Sequence, residues 1–183
     1  NPLRRTVNLP EFPDSPRLGR VAMGTWRPEI KVRPSYDSET VRPVYEDEVL
    51  VWEKEVIGSW PYRNNQRWVQ TPEGYIWGAY LQPVKYMPNQ PLEQLPDSPG
   101  DGGMWAEVTV PYVELEMVNP PPRHAYFNAR YENQQPLRFY YSQILWIDKI
   151  EQRDGVWIYR INERYGNRGD IYWADARAFR PLA

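Results

Sequence analysis

The chain has 183 residues, with 22 Lys and Arg against 24 Asp and Glu, one His and no Cys. The missing cysteine excludes disulfides, a thiolate nucleophile, zinc–thiolate sites and iron–sulfur clusters, and a single histidine excludes a two-histidine metal site. A formal charge of −2 offers no basic field for nucleic acid, and no apolar run nears the ~20 residues of a membrane span.

Twenty prolines argue against long helices, while nine Trp and fourteen Tyr point to a core built from amphipathic rings. Residues 1–18 hold four prolines and read as an extended tail or linker. A chain that starts at Asn1 without a signal peptide reads as a processed or excised piece. Residues 20–25, 30–33, 48–57, 67–70 and 74–77 are short β-branched or aromatic runs, with a hairpin turn at Pro72-Glu73-Gly74. Residues 87–103, rich in Pro, Gly and Asp, read as a linker. Beyond it, 104–110, 113–118, 137–141, 143–150, 156–161 and 170–173 repeat the strand-like pattern, with tight turns at Asp154-Gly155 and Asn167 to Asp170. Only 78–81 and 174–178 invite a helical turn. The expected fold is all-β: two small barrels, at 19–86 and 104–183, the second with a long loop insertion at about 119–136.

The two bodies look like a diverged repeat. Val49-Leu50-Val51-Trp52-Glu53-Lys54 matches Ile144-Leu145-Trp146-Ile147-Asp148-Lys149 at a spacing of 95, and Tyr75-Ile76-Trp77 matches Ile171-Tyr172-Trp173 at 96.

Order and spacing of Val32-Arg33-Pro34-Ser35-Tyr36, Val44 to Val49, Arg67-Trp68-Val69, Gly74-Tyr75-Ile76-Trp77 and Tyr80-Leu81 resemble the bacterial SH3-like domain over about 30–84. The second body keeps Trp157-Ile158-Tyr159, Gly169 to Trp173 and Phe179-Arg180-Pro181 of that pattern. The string from Tyr62-Arg63 through Tyr80-Leu81-Gln82-Pro83, followed by Met104 to Tyr112, is similar to the region preceding the catalytic domain of L,D-transpeptidases. The resemblance implies an extracytoplasmic, cell-envelope module that binds or positions peptidoglycan or its stem peptides, with a catalytic domain following in the same protein. That enzyme uses a Cys nucleophile, which this chain lacks, so the resemblance implies a non-catalytic portion with no cofactor. A scaffold for proline-rich or extended peptides is the alternative of the same class.

Aromatic rings in small barrels either fill the interior or line a groove where flat faces meet an extended ligand. Trp52, Trp60, Tyr62, Trp68, Trp77, Tyr80, Tyr172 and Trp173 are the groove candidates. If Val49 and Val51 point inward, alternation puts Trp52 on the outer face. Glu46-Asp47-Glu48 reads as a solvated turn before a strand, and His124 as an exposed loop residue. Glu53/Glu55 and Glu114/Glu116 share strand faces, and a carbohydrate-active hydrolase would need such carboxylates to oppose each other across a cleft. Arg168-Gly169-Asp170 spells an adhesion tripeptide, but its place before a strand suits a hairpin turn.

Overall fold

The computed structural model describes residues 7, 9–22, 27–61, 64–97, 102–163 and 169–182. Regular structure in the described residues is mostly β-strand, and the chain divides into two compact units, Phe12–Tyr86 and a second comprising Asn1–Glu11 with Met87–Ala183. Residues 12–18, read from the sequence as tail, thus belong to the first unit, and 87–103, read as linker, to the second.

The first unit contains β1 (Leu18–Val21), β2 (Glu29–Lys31), β3 (Thr40–Pro43), β4 (Val49–Val51), β5 (Lys54–Ile57), β6 (Arg67–Thr71), β7 (Gly74–Trp77) and β8 (Leu81–Val84). They form a five-stranded sheet, β3-β2-β7-β6-β5, and a three-stranded one, β4-β1-β8, with every ladder pair antiparallel. A 3₁₀ turn, Gly78–Tyr80, leads from β7 to β8. Between the sheets lie Val21, Ile30, Val44, Leu50, Trp52, Val69, Ile76, Tyr80 and Leu81. The turn between β6 and β7 needs Gly74: its φ is +149°, and a Cβ there would lie 2.5 Å from the Lys31 carbonyl oxygen.

Trp52 is buried, so the sequence expectation that it faces outward is corrected: Leu50 and Trp52 point into the core while Val49 and Val51 are half-exposed. Alternation gives parity but not direction, and burying the Leu–Trp pair removes more apolar area from water than burying two valines. The acidic run is also more than a solvated turn. Asp47, at φ +67°, is buried against Arg20 with Nη1 2.6 Å from its Oδ1, and Glu48 accepts from Arg42 and from the Tyr45 amide.

The second unit contains β9 (Met104–Val108), β10 (Tyr112–Glu114), β11 (Glu116–Met117), α1 (Ala125–Glu132), β12 (Arg138–Tyr140), β13 (Ile144–Arg153), β14 (Val156–Asn162), β15 (Ile171–Asp175) and β16 (Phe179–Pro181). Its sheets run β11-β15-β14-β13-β9-β16 and β10-β12. The long β13 spans what β4 and β5 do separately, and a 3₁₀ turn, Ala176–Ala178, again precedes the last strand.

Helix α1 lies inside the insertion read as a loop. At eight residues it is too short to stand alone in water, and packing holds it. Phe127 contacts the rings of Phe139 and Tyr172, and buried Arg130 donates through Nε to the Pro136 carbonyl at 2.8 Å. Few apolar positions mark this face, so the sequence pattern did not announce it.

The two units share one pattern of strand pairing. Gly19 lies opposite Leu50 and Pro83, as Ala106 lies opposite Leu145 and Pro181. Lys54 pairs Gln70 as Lys149 pairs Arg160, and Trp68 pairs Trp77 as Ile158 pairs Asp175. The matching 3₁₀ turns set Trp77 against Asp175, two residues beyond the alignment of Tyr75-Ile76-Trp77 with Ile171-Tyr172-Trp173. A two-residue slip keeps strand parity, which is why the shorter match looked sound.

Candidate functional site

The outer face of the five-stranded sheet in the first unit carries an aromatic groove. Ile30, Val69 and Ile76 fill the inner face, so Glu29, Lys31, Tyr75, Trp68 and Trp77 fall on the other by alternation, with Lys31 opposite Tyr75 and Trp68 opposite Trp77. The segment between β5 and β6 then lays Trp60 over this face. Trp60 stacks on Trp77 at 3.9 Å between ring centroids and 6° between planes, and meets Tyr36, Trp68 and Tyr80 edge to face.

Local hydrogen bonds hold the slab in place. Gln66 accepts from the Trp60 amide at 2.7 Å and donates back to its carbonyl at 3.0 Å, while Trp77 Nε1 donates to the Asn65 carbonyl at 3.0 Å. Gly58 lets the segment lie close, since a Cβ there would sit 2.2 Å from the Pro34 carbonyl and 2.3 Å from the Trp68 ring. The resulting cavity of about 460 Å³ is lined by Arg27, Glu29, Lys31, Tyr36, Trp60, Trp68, Trp77 and Tyr80. Lys31 Nζ lies 2.9 Å from Glu29 Oε2 and 3.0 Å from Thr40 Oγ1, and Thr40 donates to the same carboxylate oxygen at 2.8 Å. The Lys31 ammonium, and then the Thr40 hydroxyl, hold Glu29 below the usual carboxylate range.

Four of the eight sequence candidates therefore converge: Trp60, Trp68, Trp77 and Tyr80. Trp68 is almost wholly buried beneath the slab, so it supports the groove more than it faces it. Trp52 belongs to the core, and Tyr62 lies outside the described residues. Tyr172 and Trp173 are buried in the second unit and form no part of this groove. Tyr36, half-exposed, and the three charged residues on β2 and just before it were missed, because single residues on short strands carry no pattern of their own.

Among its described residues, the second unit folds with the same pairing but does not carry the groove's rings at the corresponding positions. Asp175 and Ala178 stand where the first unit has Trp77 and Tyr80, and Ile158 stands where it has Trp68. The segment that carries Trp60 is absent too, since Asp154 and Gly155, at φ +51° and +81°, close β13 onto β14 directly. Asp175 is fully buried and accepts from the Leu9 amide at 3.3 Å and the Arg177 amide at 2.9 Å, so the chain itself fills that face.

A carboxylate cluster in the second unit went unread in the sequence. Asp170 is fully buried and accepts from the amides of Arg123 and His124 and from the Tyr172 hydroxyl at 3.2 Å. That burial withholds the aspartate of the adhesion tripeptide from solvent; Arg168 lies outside the described residues. Burial, and then the negative charge of Asp170, pushes Glu163 up to about 7. The Tyr172 hydroxyl is also driven above its ordinary range, first by burial. Between 4.5 and about 7 the folded chain holds a proton on Glu163 that the unfolded chain releases, so stability falls as pH rises through that window and levels off above it. Urea denaturation should show the second unit losing on the order of 1–2 kcal/mol between pH 5 and pH 8, and Glu163→Gln should flatten the profile.

The other carboxylate pairs are engaged separately. Glu114 pairs with Arg138 and Glu116 with Arg153, each at 3.0 Å, while Glu55 meets both Arg17 and Arg67 and Glu53 accepts from Gln70. Among the described residues no group of three or more His, Cys, Asp and Glu could hold a metal ion, and no helix is long and apolar enough to cross a membrane. Comparison with protein-family models, with curated proteins and with solved structures finds no match to this chain.

Proposed function

We propose that the chain is a non-catalytic module of two tandem SH3-like units, and that the first unit binds an extended component of bacterial peptidoglycan through its aromatic groove. The observation that carries this reading is the contrast between the units. The second unit folds with Asp175, Ala178 and Ile158 where the first has Trp77, Tyr80 and Trp68, so this pairing pattern does not require the rings. The stacked Trp60–Trp77 pair packs on the core yet leaves part of its ring area in water, area that an extended ligand would bury.

The motif order quoted above supports the cell-envelope assignment and the place of the module ahead of an L,D-transpeptidase catalytic domain. The chain's lack of cysteine fits an accessory role, because that chemistry needs a thiolate. The test is retention of the purified chain on isolated peptidoglycan sacculi. Saturable retention is expected, and none at high protein concentration overturns the reading. If proline-rich peptides compete for the groove and sacculi do not, the module is instead a peptide scaffold.

A further inference from the structure

We propose that the groove recognises the free carboxylate at the end of an extended peptide, with Arg27 as its counter-charge. This rests on the reading of the groove as the ligand site of the first unit. Among the described residues, three charged side chains line an otherwise aromatic cavity. Two of them neutralise each other: the Lys31 ammonium lies 2.9 Å from Glu29, and its side chain is only 15% exposed, turned to Glu29 and Thr40. Arg27 is exposed and has no ion pair among the described residues, so the groove keeps one fixed positive charge in excess.

That charge selects the ligand. A guanidinium presents parallel N–H donors that match a carboxylate in two-point geometry. The interior of a peptide backbone is uncharged, as is a plain sugar ring, whereas a free chain end carries its carboxylate directly on the extended backbone, and the acid-against-amide comparison below separates it from side-chain carboxylates. The Trp60–Trp77 slab would take the stretch and Arg27 the terminus, a mode of capture that fixes both register and direction of the peptide.

The experiment follows tryptophan fluorescence of the whole chain during titration with an N-acetylated stem tetrapeptide ending in D-alanine, as the free acid and as its C-terminal amide. The acid is expected to bind at least tenfold more tightly than the amide, and Arg27→Ala to bring the acid down to the amide's level. Equal binding of acid and amide, or a preference that survives Arg27→Ala, overturns the proposal. Sacculus retention separates the two readings. Chain that is retained, and released by Trp60→Ala, but shows no acid preference leaves the groove assignment standing and removes only the carboxylate; failure of both sacculus and peptide binding removes both. Arg27 is exposed, so its truncation leaves the fold intact, which far-ultraviolet circular dichroism checks.

Discussion

Arg20→Met is expected to destabilise the first unit by about 3–5 kcal/mol, the range for removing one partner of a buried ion pair. Arg20 and Asp47 side chains are 11% and 1% exposed, and Arg20 also donates through Nη2 to Gln82 Oε1 at 2.7 Å. This one guanidinium joins β1, the turn before β4, and β8. Methionine preserves the aliphatic bulk but strands the Asp47 carboxylate in the interior without its counter-charge. The double variant Arg20→Met with Asp47→Asn should recover at least half of the loss, since Asn tolerates the positive φ and carries no charge to strand. Urea midpoints of the four proteins in the cycle measure it. A loss from Arg20→Met below about 1 kcal/mol, the scale of a surface pair, would show that the pair is solvated and the turn held by other means.

Trp60→Ala carries the second large effect, and its direction distinguishes a groove from a core. Truncation removes the indole that stacks on Trp77 and covers Trp68, so retention on sacculi should fall at least tenfold. The stability cost should stay at about 1–3 kcal/mol, because Trp60 is half-exposed and its truncation returns only part of a ring's area to water. Trp68→Ala supplies the contrast. Its ring is 1% exposed, and a cavity of that size should cost about 3–5 kcal/mol whether or not any ligand binds. If Trp60→Ala unfolds the unit as readily as Trp68→Ala, the slab is core and the groove reading falls.

The contrast between the two units also explains why aromatic content alone was an uncertain guide. Rings that fill and rings that face a ligand look alike in a sequence. Tyr172 and Trp68 are both aromatic and both stand second in a strand, yet Tyr172 packs against Phe127 and Phe139 while Trp68 lies under an open groove. Neighbours distant in sequence make that difference. Trp60 reaches Trp77 only because Gly58 and Gln66 hold the intervening segment against the sheet, an arrangement without local periodicity.

Much of the β character was legible from residues close in the chain. Turn chemistry at Pro72-Glu73-Gly74 and Asp154-Gly155, short β-branched and aromatic runs, and the match of Val49–Lys54 with Ile144–Lys149 all follow from backbone preferences that act over a few positions. Tertiary structure decided the rest: which face of β4 turns inward, that α1 forms within the insertion, that Trp77 corresponds to Asp175, and which five aromatics meet. Those outcomes depend on how much apolar area is buried and on which partners a buried polar group finds, and both are properties of the packed chain.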